Sequence, residues 1–353
     1  MTASAIAGSI GLSRLGQIRG TGDDRALFQR LSTAEVLGAF KRKLVFSDYV
    51  RRRDIRNAKE ATFKVSGRRT AGYAIPGIPI NNIPTDANNP NPSNAPSDRN
   101  QVVITLDGLL CAADTVTELD ELMEDAEYRS EFMTELGNAL TSEEDARAAR
   151  IIVATARKTD DLLAKPINQN RRGTVVTLGA SYNTANAMTR ADMLADAIKT
   201  VVATMASKDV PSDKISGLRC AVDPFTYYQF FDGSRTINAD FNQGSPNGGF
   251  GSGQFGRIYG VPVTWSNHVA QPAYTLVANQ DRNPDYATDM SSVEAIIWHS
   301  DCMGILSLMR PRLGMTGEDY KLIYSTTLFG AKMSIGMNSL RREVAAVIQR
   351  TAP

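Results

Sequence analysis

The residues whose types and spacing could support catalysis are few, and their context does not fit a catalytic site. The run Gly251-Ser-Gly253-Gln-Phe-Gly256 matches the glycine pattern of dinucleotide-binding loops. Such a loop has to follow a strand and open a helix, because backbone amides at the helix start bind the phosphates. Here a polar loop precedes the glycines and a strand-like run, Arg257–Trp265, follows them. This order is the reverse of a nucleotide site and predicts a flexible loop.

Histidine is the commonest general acid, general base and metal ligand, yet it occurs only at His268 and His299. Each follows a strand-like run beside a tryptophan, and the pair has no recognisable zinc-ligand spacing. We therefore expect both to be half-buried polar residues at strand edges. Neighbouring acids such as Glu143 and Glu144 diverge on a helix, which predicts solvated or helix-start charges rather than paired catalytic carboxylates.

The cysteines, Cys111, Cys220 and Cys302, are odd in number and lack metal-ligand spacing, which favours a reducing compartment. No apolar run approaches the roughly 20 residues that a membrane helix needs. The first residues lack the pattern of a secretion signal. The sequence therefore predicts no catalytic residue, no cofactor and no metal site, and indicates a soluble, cytoplasm-made structural protein rather than an enzyme.

Charge is segregated along a chain whose formal net charge is only +1. Residues 41–70 hold eleven basic and three acidic side chains, whereas residues 114–145 hold twelve acids and one arginine. The two blocks could be solvated faces, the usual role of charge runs. A nucleic-acid site would need more interleaved aromatics than Phe46 and Tyr49. Alternatively, the basic block meets the acidic helix, within the chain or in a neighbour, which would make assembly salt-sensitive.

A long excursion is predicted between two strand-like runs, Ala61–Val65 and Val102–Leu106. The segment between them, residues 66–101, is rich in proline and asparagine and shows no pattern of regular structure. Structureless loops of this length are uncommon in compact domains, and an isolated two-stranded excursion is not stable in water. Nothing else in the chain obviously supports the loop, so we expect a partner subunit to do so.

The longest helical pattern spans residues 119–158, with a predicted kink and restart near residue 141. Its apolar stripe is narrow, which predicts a helix that is not enclosed by a core. From residue 174 the pattern becomes compact α/β, with strands at 175–178, 218–222, 257–265 and 293–298. Further predictions are a helix capped by Thr189, a short helix opened by Asp223-Pro224, and a mostly extended tail from residue 326, buried around Met333–Met337.

This order of segments resembles the major capsid proteins of tailed phages, which have the Hong Kong 97-type fold. The local sequence is similar to that of short-tailed (podovirus-type) double-stranded DNA phages, including cyanophages. Two features depart from the family pattern, namely the long loop tip at 76–97 and Arg342, where proline is expected. The resemblance is carried by Ala34-Glu-Val-Leu-Gly-Ala-Phe40, Val103-Ile-Thr-Leu-Asp-Gly-Leu-Leu110, Tyr128-Arg-Ser-Glu-Phe132, Val222-Asp-Pro224, Tyr259-Gly-Val261 and Leu340-Arg-Arg-Glu343.

The resemblance implies an α+β fold with a long central helix, the spine helix of the family. It also implies how the chain divides. The expected parts are an N-terminal arm at 1–48, an E-loop at 49–107 with its extended tip at 66–100, a P-domain at 108–172 with the spine helix at about 119–158, an A-domain at 173–325, and P-domain return strands at 326–353.

The function that the resemblance implies is self-assembly of hexamers and pentamers into an icosahedral shell around phage DNA. The implied partners are other copies of the chain, a scaffolding protein and a portal protein during assembly, weakly and non-specifically bound double-stranded DNA, and, as an option, a cement protein, with no membrane. The implied location is the virion, after assembly in the bacterial cytoplasm. Alternatives are an encapsulin-like nanocompartment shell and, less in keeping with the sequence, a soluble metabolic enzyme.

Candidate subunit-interface residues fall into three groups. Basic residues lie at the foot of the loop, apolar residues of its strands are expected to line the face on which it is seated, and acidic residues lie along the long helix. We also expect loops of residues 176–325 to meet at the centre of a capsomer. The candidates are Arg51, Arg52, Arg53, Arg56, Arg68 and Arg69; Phe63, Val65, Val103 and Ile104; and Glu121, Glu124, Asp125 and Glu131.

Overall fold

The computed structural model has two compact units, and several of its elements run from one into the other. The first unit holds the described residues of Cys111–Ala139 and Leu313–Ala331, and the second holds those of Arg42–Leu110, Leu140–Arg312 and Lys332–Pro353. The glycine loop at 251–256 lies outside the described part. The structure describes residues 44–66, 76, 84–86, 89–92, 99–117, 126–160, 172–208, 210–232 and 257–351.

The described chain begins with six strands and continues as a mixture of helices and strands. The helices are α1 (Ala126–Arg157), α2 (Ser181–Thr184), α3 (Ala187–Ser207), α4 (Ser212–Ser216), α5 (Pro224–Gln229) and α6 (Glu318–Tyr324). The strands are β1 (Arg51–Asp54), β2 (Glu60–Ser66), β3 (Pro84–Asp86), β4 (Asn89–Pro92), β5 (Arg99–Thr105), β6 (Leu110–Thr117), β7 (Thr174–Leu178), β8 (Arg219–Val222), β9 (Arg257–Ile258), β10 (Val261–Trp265), β11 (Val293–Trp298), β12 (Met303–Met315), β13 (Thr326–Ser339) and β14 (Ala345–Arg350).

The two strands predicted on either side of the long excursion do form a hairpin. Strands β2 and β5 pair antiparallel, with Glu60 opposite Thr105 and Ser66 opposite Arg99. The prediction that residues 66–101 lack regular structure is wrong, because β3 and β4 form a second short hairpin within them. Pro84 faces Pro92 at one end of that pairing, and Pro90 lies within β4. Proline lacks an amide donor and is confined to strand edges and ends, so the sequence pattern concealed this hairpin.

Helix α1 is a single uninterrupted helix, so the restart predicted near residue 141 is wrong. Its C-terminal half was also misjudged, because every residue from 144 to 156 is buried. Because this stretch contains several charged residues, its sequence resembles that of a helix with one face in solvent. They are instead enclosed and paired with groups from other parts of the second unit, as described below. A helix buried all round need not be apolar all round when its polar side chains find partners.

A six-stranded sheet with order β7-β14-β11-β8-β10-β9 forms the α/β part of the second unit. Strand β14 lies inside it, parallel to β7 and antiparallel to β11, so the predicted tail strand returns to this sheet. The run predicted as one strand at 257–265 is two, since Tyr259 and Gly260 turn the chain with positive φ angles of 48° and 83°. The segment boundaries expected from the family stay a prediction.

Helix starts in this region follow local hydrogen bonding. Asp223 opens α5 as predicted, its carboxylate accepting from the amide of Phe225 at 3.1 Å. The helix predicted to be capped by Thr189 begins earlier. Asn186 is its N-cap, and the Asn186 side chain accepts from the amide of Thr189 at 2.9 Å. Thr189 therefore supplies the third amide of the helix rather than the capping oxygen.

A second sheet has the order β1-β12-β13-β6. Strand β13 is buried around Met333, Ile335 and Met337, as predicted for this stretch. It passes close beneath the end of β5, where a Cβ on Gly336 would come within 2.1 Å of the Thr105 carbonyl oxygen. Only glycine allows the two backbones to approach this closely. Helix α6 connects β12 to β13 in the first unit.

Candidate subunit interface

The chain that leads into the long loop is fastened to helix α1 by one buried carboxylate. Asp145 is fully buried, and its Oδ1 accepts from the amides of Phe46 and Ser47, each at 2.8 Å, and of Val45 at 3.2 Å. A carboxylate that accepts several backbone amides replaces the hydrogen bonds that this turn would otherwise lack. We call residues 44–54 the outgoing anchor.

Aromatic contacts hold the middle of the outgoing anchor. The ring of Phe46 packs against Trp298 with centroids 4.8 Å apart, and the Trp298 indole donates to the Tyr49 carbonyl oxygen at 3.1 Å. The Tyr49 hydroxyl in turn donates to the Gly217 carbonyl at 2.6 Å, and the Arg219 guanidinium lies 3.8 Å from the Tyr49 ring centroid. The anchor is therefore joined to the six-stranded sheet as well as to helix α1.

Three of the candidate interface arginines make contacts within their own chain. Arg51 donates to Asp301 at 2.6 Å, Arg52 pairs with Glu144, and the Arg53 guanidinium lies 5.9 Å from the Phe63 ring centroid. One part of the basic block thus meets the acidic block within the chain, at Glu144 in the middle of helix α1. The expectation that Glu144 is a solvated charge is wrong, because its side chain is only 5% exposed.

The environments of the two carboxylates change their acidity in opposite directions. Burial raises the pKa of Glu144 above the usual value, although the nearby Arg52 works against this. Burial also acts to raise the pKa of Asp301, but hydrogen bonds from Arg51 and Lys214 outweigh it and lower that pKa. Asp301 is therefore ionised across the physiological range and holds the outgoing anchor at the point where β1 begins.

The four apolar candidates of the loop do not share one face. Ile104 is fully buried with Val102 against Leu306, and Phe63 packs against the same cluster. Val65 packs against it too, whereas Val103 is 36% exposed on the opposite face of the hairpin. Successive side chains of a strand point to opposite faces, so Val103 and Ile104 cannot line one surface. The base of the loop is seated on its own chain, and the expectation that nothing in the chain supports it is wrong.

The returning strand of the loop is fixed by a half-buried carboxylate. Asp107 accepts from the Tyr286 hydroxyl at 2.6 Å and from the Arg282 amide at 3.0 Å, and its own amide donates to the Ile335 carbonyl at 2.9 Å. Burial raises the pKa of Asp107 despite the hydrogen bonds from Tyr286 and Arg282. We call residues 105–108 the return anchor. With both ends held, the loop has a fixed point of departure.

The remaining interface candidates are less constrained by the structure. Arg56 is exposed, and Glu131 lies on helix α1 with its side chain outside the described part. Their role in subunit contacts stays a prediction, as it does for all the candidates. Arg68, Arg69, Glu121, Glu124 and Asp125 lie outside the described residues.

Both histidines were predicted to be half-buried at strand edges, but each is only 6% exposed. His299 Nδ1 accepts from the Asp301 amide at 3.1 Å, and burial lowers the His299 pKa. His268 lies 4.0 Å from the carboxylate of Asp145 and 3.2 Å from the Gln271 side-chain amide.

Among the described residues no cluster of His, Cys, Asp and Glu could hold a metal ion. The helices in this part of the chain include none suited to crossing a membrane.

Arg342, the departure from the expected proline, is buried and structural. Its guanidinium pairs with the Asp160 carboxylate at 2.7 Å, and this hydrogen bond lowers the Asp160 pKa. The contact fastens the segment that follows helix α1 to the 3₁₀ turn Arg342–Val344. A proline here could make no such pair.

Sequence reasoning missed several highly exposed apolar residues of the first unit. On helix α6, Leu322 is 88%, Ile323 71% and Tyr324 61% exposed, and Met315 at the end of β12 is 70% exposed. The run Leu322-Ile-Tyr324 offered a signal, since three consecutive large apolar residues cannot all face one side of so short a helix. Contiguous exposed apolar surface of this kind marks an interaction site.

Comparison with known proteins bears on the role of these surfaces. The model of a family described as "Gp10A-like: Major capsid protein" matches residues 63–349. The major capsid protein of Escherichia phage T7 is 33% identical over 124 residues, which are 35% of this chain and 33% of that protein. The aligned part thus spans about a third of the length of this curated relative.

Solved structures extend the likeness over almost the whole chain. A capsid structure of the cyanophage P-SCSP1u matches with a TM-score of 0.75 and 24% identity, covering 97% of this chain and 99% of that one. The mature capsid of bacteriophage PhiM1 matches with a TM-score of 0.71 and 14% identity, covering 99% and 100%. The fold is therefore that of Hong Kong 97-type phage capsid proteins, an α+β fold, as the sequence resemblance implied.

Proposed function

This chain belongs to the Gp10A-like major capsid protein family, and on that premise we propose that it is the structural subunit of a phage shell. Copies of the chain assemble as hexamers and pentamers into a closed icosahedral capsid that encloses double-stranded DNA. The protein resides in the virion, after assembly in the cytoplasm of the bacterial host. It acts through its surfaces rather than by catalysis.

The observation that carries this proposal, beside the family, is the exposed apolar surface of helix α6. Leu322 is 88% exposed and Ile323 71% exposed, and with the exposed Tyr324 they are consecutive residues of one short helix. Burying one such side chain contributes about 1.5–3 kcal/mol, which many copies in a shell would each recover at their contacts. A surface repeated on every copy suits a symmetric assembly, because each contact is then made many times.

The anchored loop supports the same proposal. The outgoing and return anchors fix where the loop begins and ends, and strand β1 is exposed at all four positions, Arg51 to Asp54, on the edge of its sheet. A loop with a rigid base and a long reach can cross a neighbouring subunit at a defined angle. The prolines of the β3–β4 pairing lack an amide donor, which discourages indiscriminate strand addition to this hairpin.

The proposal also includes the other components with which the shell subunit would interact. A scaffolding protein and a portal protein take part during assembly, and the packaged DNA contacts the inner surface weakly and without sequence preference. A net charge of +1 favours weak rather than tight contact with DNA, since affinity for phosphate grows with the number of cations engaged. A cement protein on the outer surface is compatible with this arrangement.

Electron microscopy of the purified protein, expressed with and without its scaffolding partner, tests the proposal. We expect closed icosahedral shells with that partner. Small oligomers under every condition would contradict the proposal. Small cages that contain a cargo enzyme and no DNA would favour the encapsulin-like alternative instead.

A further inference from the structure

A groove runs along the base of the long loop, within the second unit. Its volume is about 420 Å³, enough for a few side chains. One wall is the β2 strand of the loop hairpin, and the other is formed by residues next to helix α4 and the 3₁₀ turn Arg342–Val344. The apolar part of its lining consists of Phe63, Val65, Val210, Pro211, Leu340 and Val344.

The rim of this groove is strongly basic, and we call it the basic groove. Five cations line it, with two carboxylates between them. Both carboxylates are already engaged, since Asp301 binds Arg51 at 2.6 Å and Lys214 at 3.2 Å, and Glu343 binds Arg341 at 3.1 Å. The rim therefore keeps an excess of positive charge above an apolar floor. The cations are Arg51, Lys64, Lys208, Lys214 and Arg341.

The same chain carries a segment with the complementary chemistry. Residues 118–125 read Glu-Leu-Asp-Glu-Leu-Met-Glu-Asp, so five of the eight are acidic. The other three, Leu119, Leu122 and Met123, recur at three- and four-residue spacing, which would place them on one face of a helix. Such a segment offers an apolar face for the floor of the groove and carboxylates for its rim.

We propose that the basic groove of one copy receives residues 118–125 of a neighbouring copy. The inference rests on the proposed shell function and names one contact by which it operates. Every copy then presents a groove and an acidic segment, two different patches that engage head to tail. Contacts of this type close into rings when the rotation between copies fits, as hexamers and pentamers require. Complementary charge also steers the encounter and selects the register.

Nucleic acid is a weaker occupant for this groove. A phosphate backbone would use the cations but leave the apolar floor without a partner. Binding of single strands relies on stacking of bases on several aromatic rings, and Phe63 is the one aromatic residue of the lining. An acidic segment with apolar residues uses both parts of the groove.

Disulfide capture between separately labelled copies tests the contact. In a Cys111→Ser background, shells are assembled from an equal mixture of a Lys64→Cys chain and a Glu121→Cys chain, then oxidised. Cys111 is exposed, whereas Cys220 and Cys302 are buried and do not compete. We expect covalent dimers as the main product on a non-reducing gel. A Lys199→Cys chain, altered at an exposed site on helix α3 away from the groove, replaces the Lys64→Cys chain as the control and should give no dimers.

A chain that carries both Lys64→Cys and Glu121→Cys separates contacts between copies from contacts within one. We expect a ladder of linked chains up to the size of a capsomer. Monomers cross-linked internally would overturn the inference, and so would mixed shells that assemble normally without any dimers; in both cases the proposed shell function would stand. Failure of the unaltered chain to form shells would instead contradict that function.

Discussion

The buried half of helix α1 and the short helix α6 use apolar side chains in opposite ways. In α1, Ile151 and Ile152 are fully buried, and the charged residues beside them also find partners inside the second unit. In α6, Leu322 and Ile323 are among the most exposed apolar residues described in the chain. The first region is complete within one copy of the protein. The second leaves apolar surface in water, which costs free energy until another surface covers it.

This difference separates the residues that stabilise a single copy from those that are available for contacts between copies. Changes in the buried half of α1 should act on the folding of one copy and only through it on the shell. Changes in α6 should act on the shell while the single copy stays folded.

Ile151→Ala should lower the free energy of unfolding of the unassembled protein by about 3–4 kcal/mol. Ile151 has no exposed surface, and the truncation leaves a cavity in a region enclosed on all sides. Chemical denaturation followed by circular dichroism measures the change. Leu322→Ala removes the same kind of apolar group from an exposed position and is the matched control. A loss below 1 kcal/mol for Ile151→Ala would show that this half of the helix is not a closed core.

Asp145→Ala should lower the free energy of unfolding by about 2–3 kcal/mol, because three amides of the outgoing anchor lose a charged acceptor. The same denaturation experiment measures it. Asp145→Asn keeps one oxygen acceptor and should cost less. Protease cleavage between residues 41 and 54 should become faster in the alanine variant. An alanine variant as stable as the wild type would show that the Asp145 carboxylate does not hold the outgoing anchor.

Acidification should release the outgoing anchor at Asp301. The folded-state pKa of Asp301 is lowered, so its ion pairs stabilise the protein fully above the unfolded-state pKa of about 3.9, and the stabilisation is lost as pH falls through the lower folded pKa. Because these pairs are partly exposed, the contribution at neutral pH should be about 1 kcal/mol. Unfolding of wild type and Asp301→Asn at pH 7 and pH 3 measures it. A stability difference between the two proteins that does not shrink from pH 7 to pH 3 would contradict this account.

Leu322→Ser should change the free energy of unfolding of the single copy by less than about 0.5 kcal/mol, since the side chain is already in water. The yield of closed shells should nevertheless fall several-fold, because the contact loses apolar area. Sedimentation of assembly mixtures, with wild type alongside, measures that yield. Normal shell yield from Leu322→Ser together with Ile323→Ser would place the apolar surface of α6 outside the subunit contacts.

Much of the described fold was predictable where a local pattern decides it. The alternation in β2 and β5, the Asp-Pro start of α5 and the buried stretch of β13 were each visible in the sequence. The errors arose where partners distant in sequence decide. The Asn186 cap preceded the residue chosen for it, and the β3–β4 hairpin was hidden by its prolines. Val103 and Ile104 were wrongly expected on one face, although adjacent residues of a strand point to opposite faces.

The class of fold and the family could be recognised from the sequence alone. The order of the elements and a set of short segments are visible in it without knowledge of any tertiary contact. The burial of Glu144 and Asp145, and the packing of the loop base on its own chain, became visible in the folded structure alone. A charged residue on a helix looks solvated until its partner is known, and these partners lie about a hundred residues away. Burial of charge depends on such distant pairing, which no local pattern encodes.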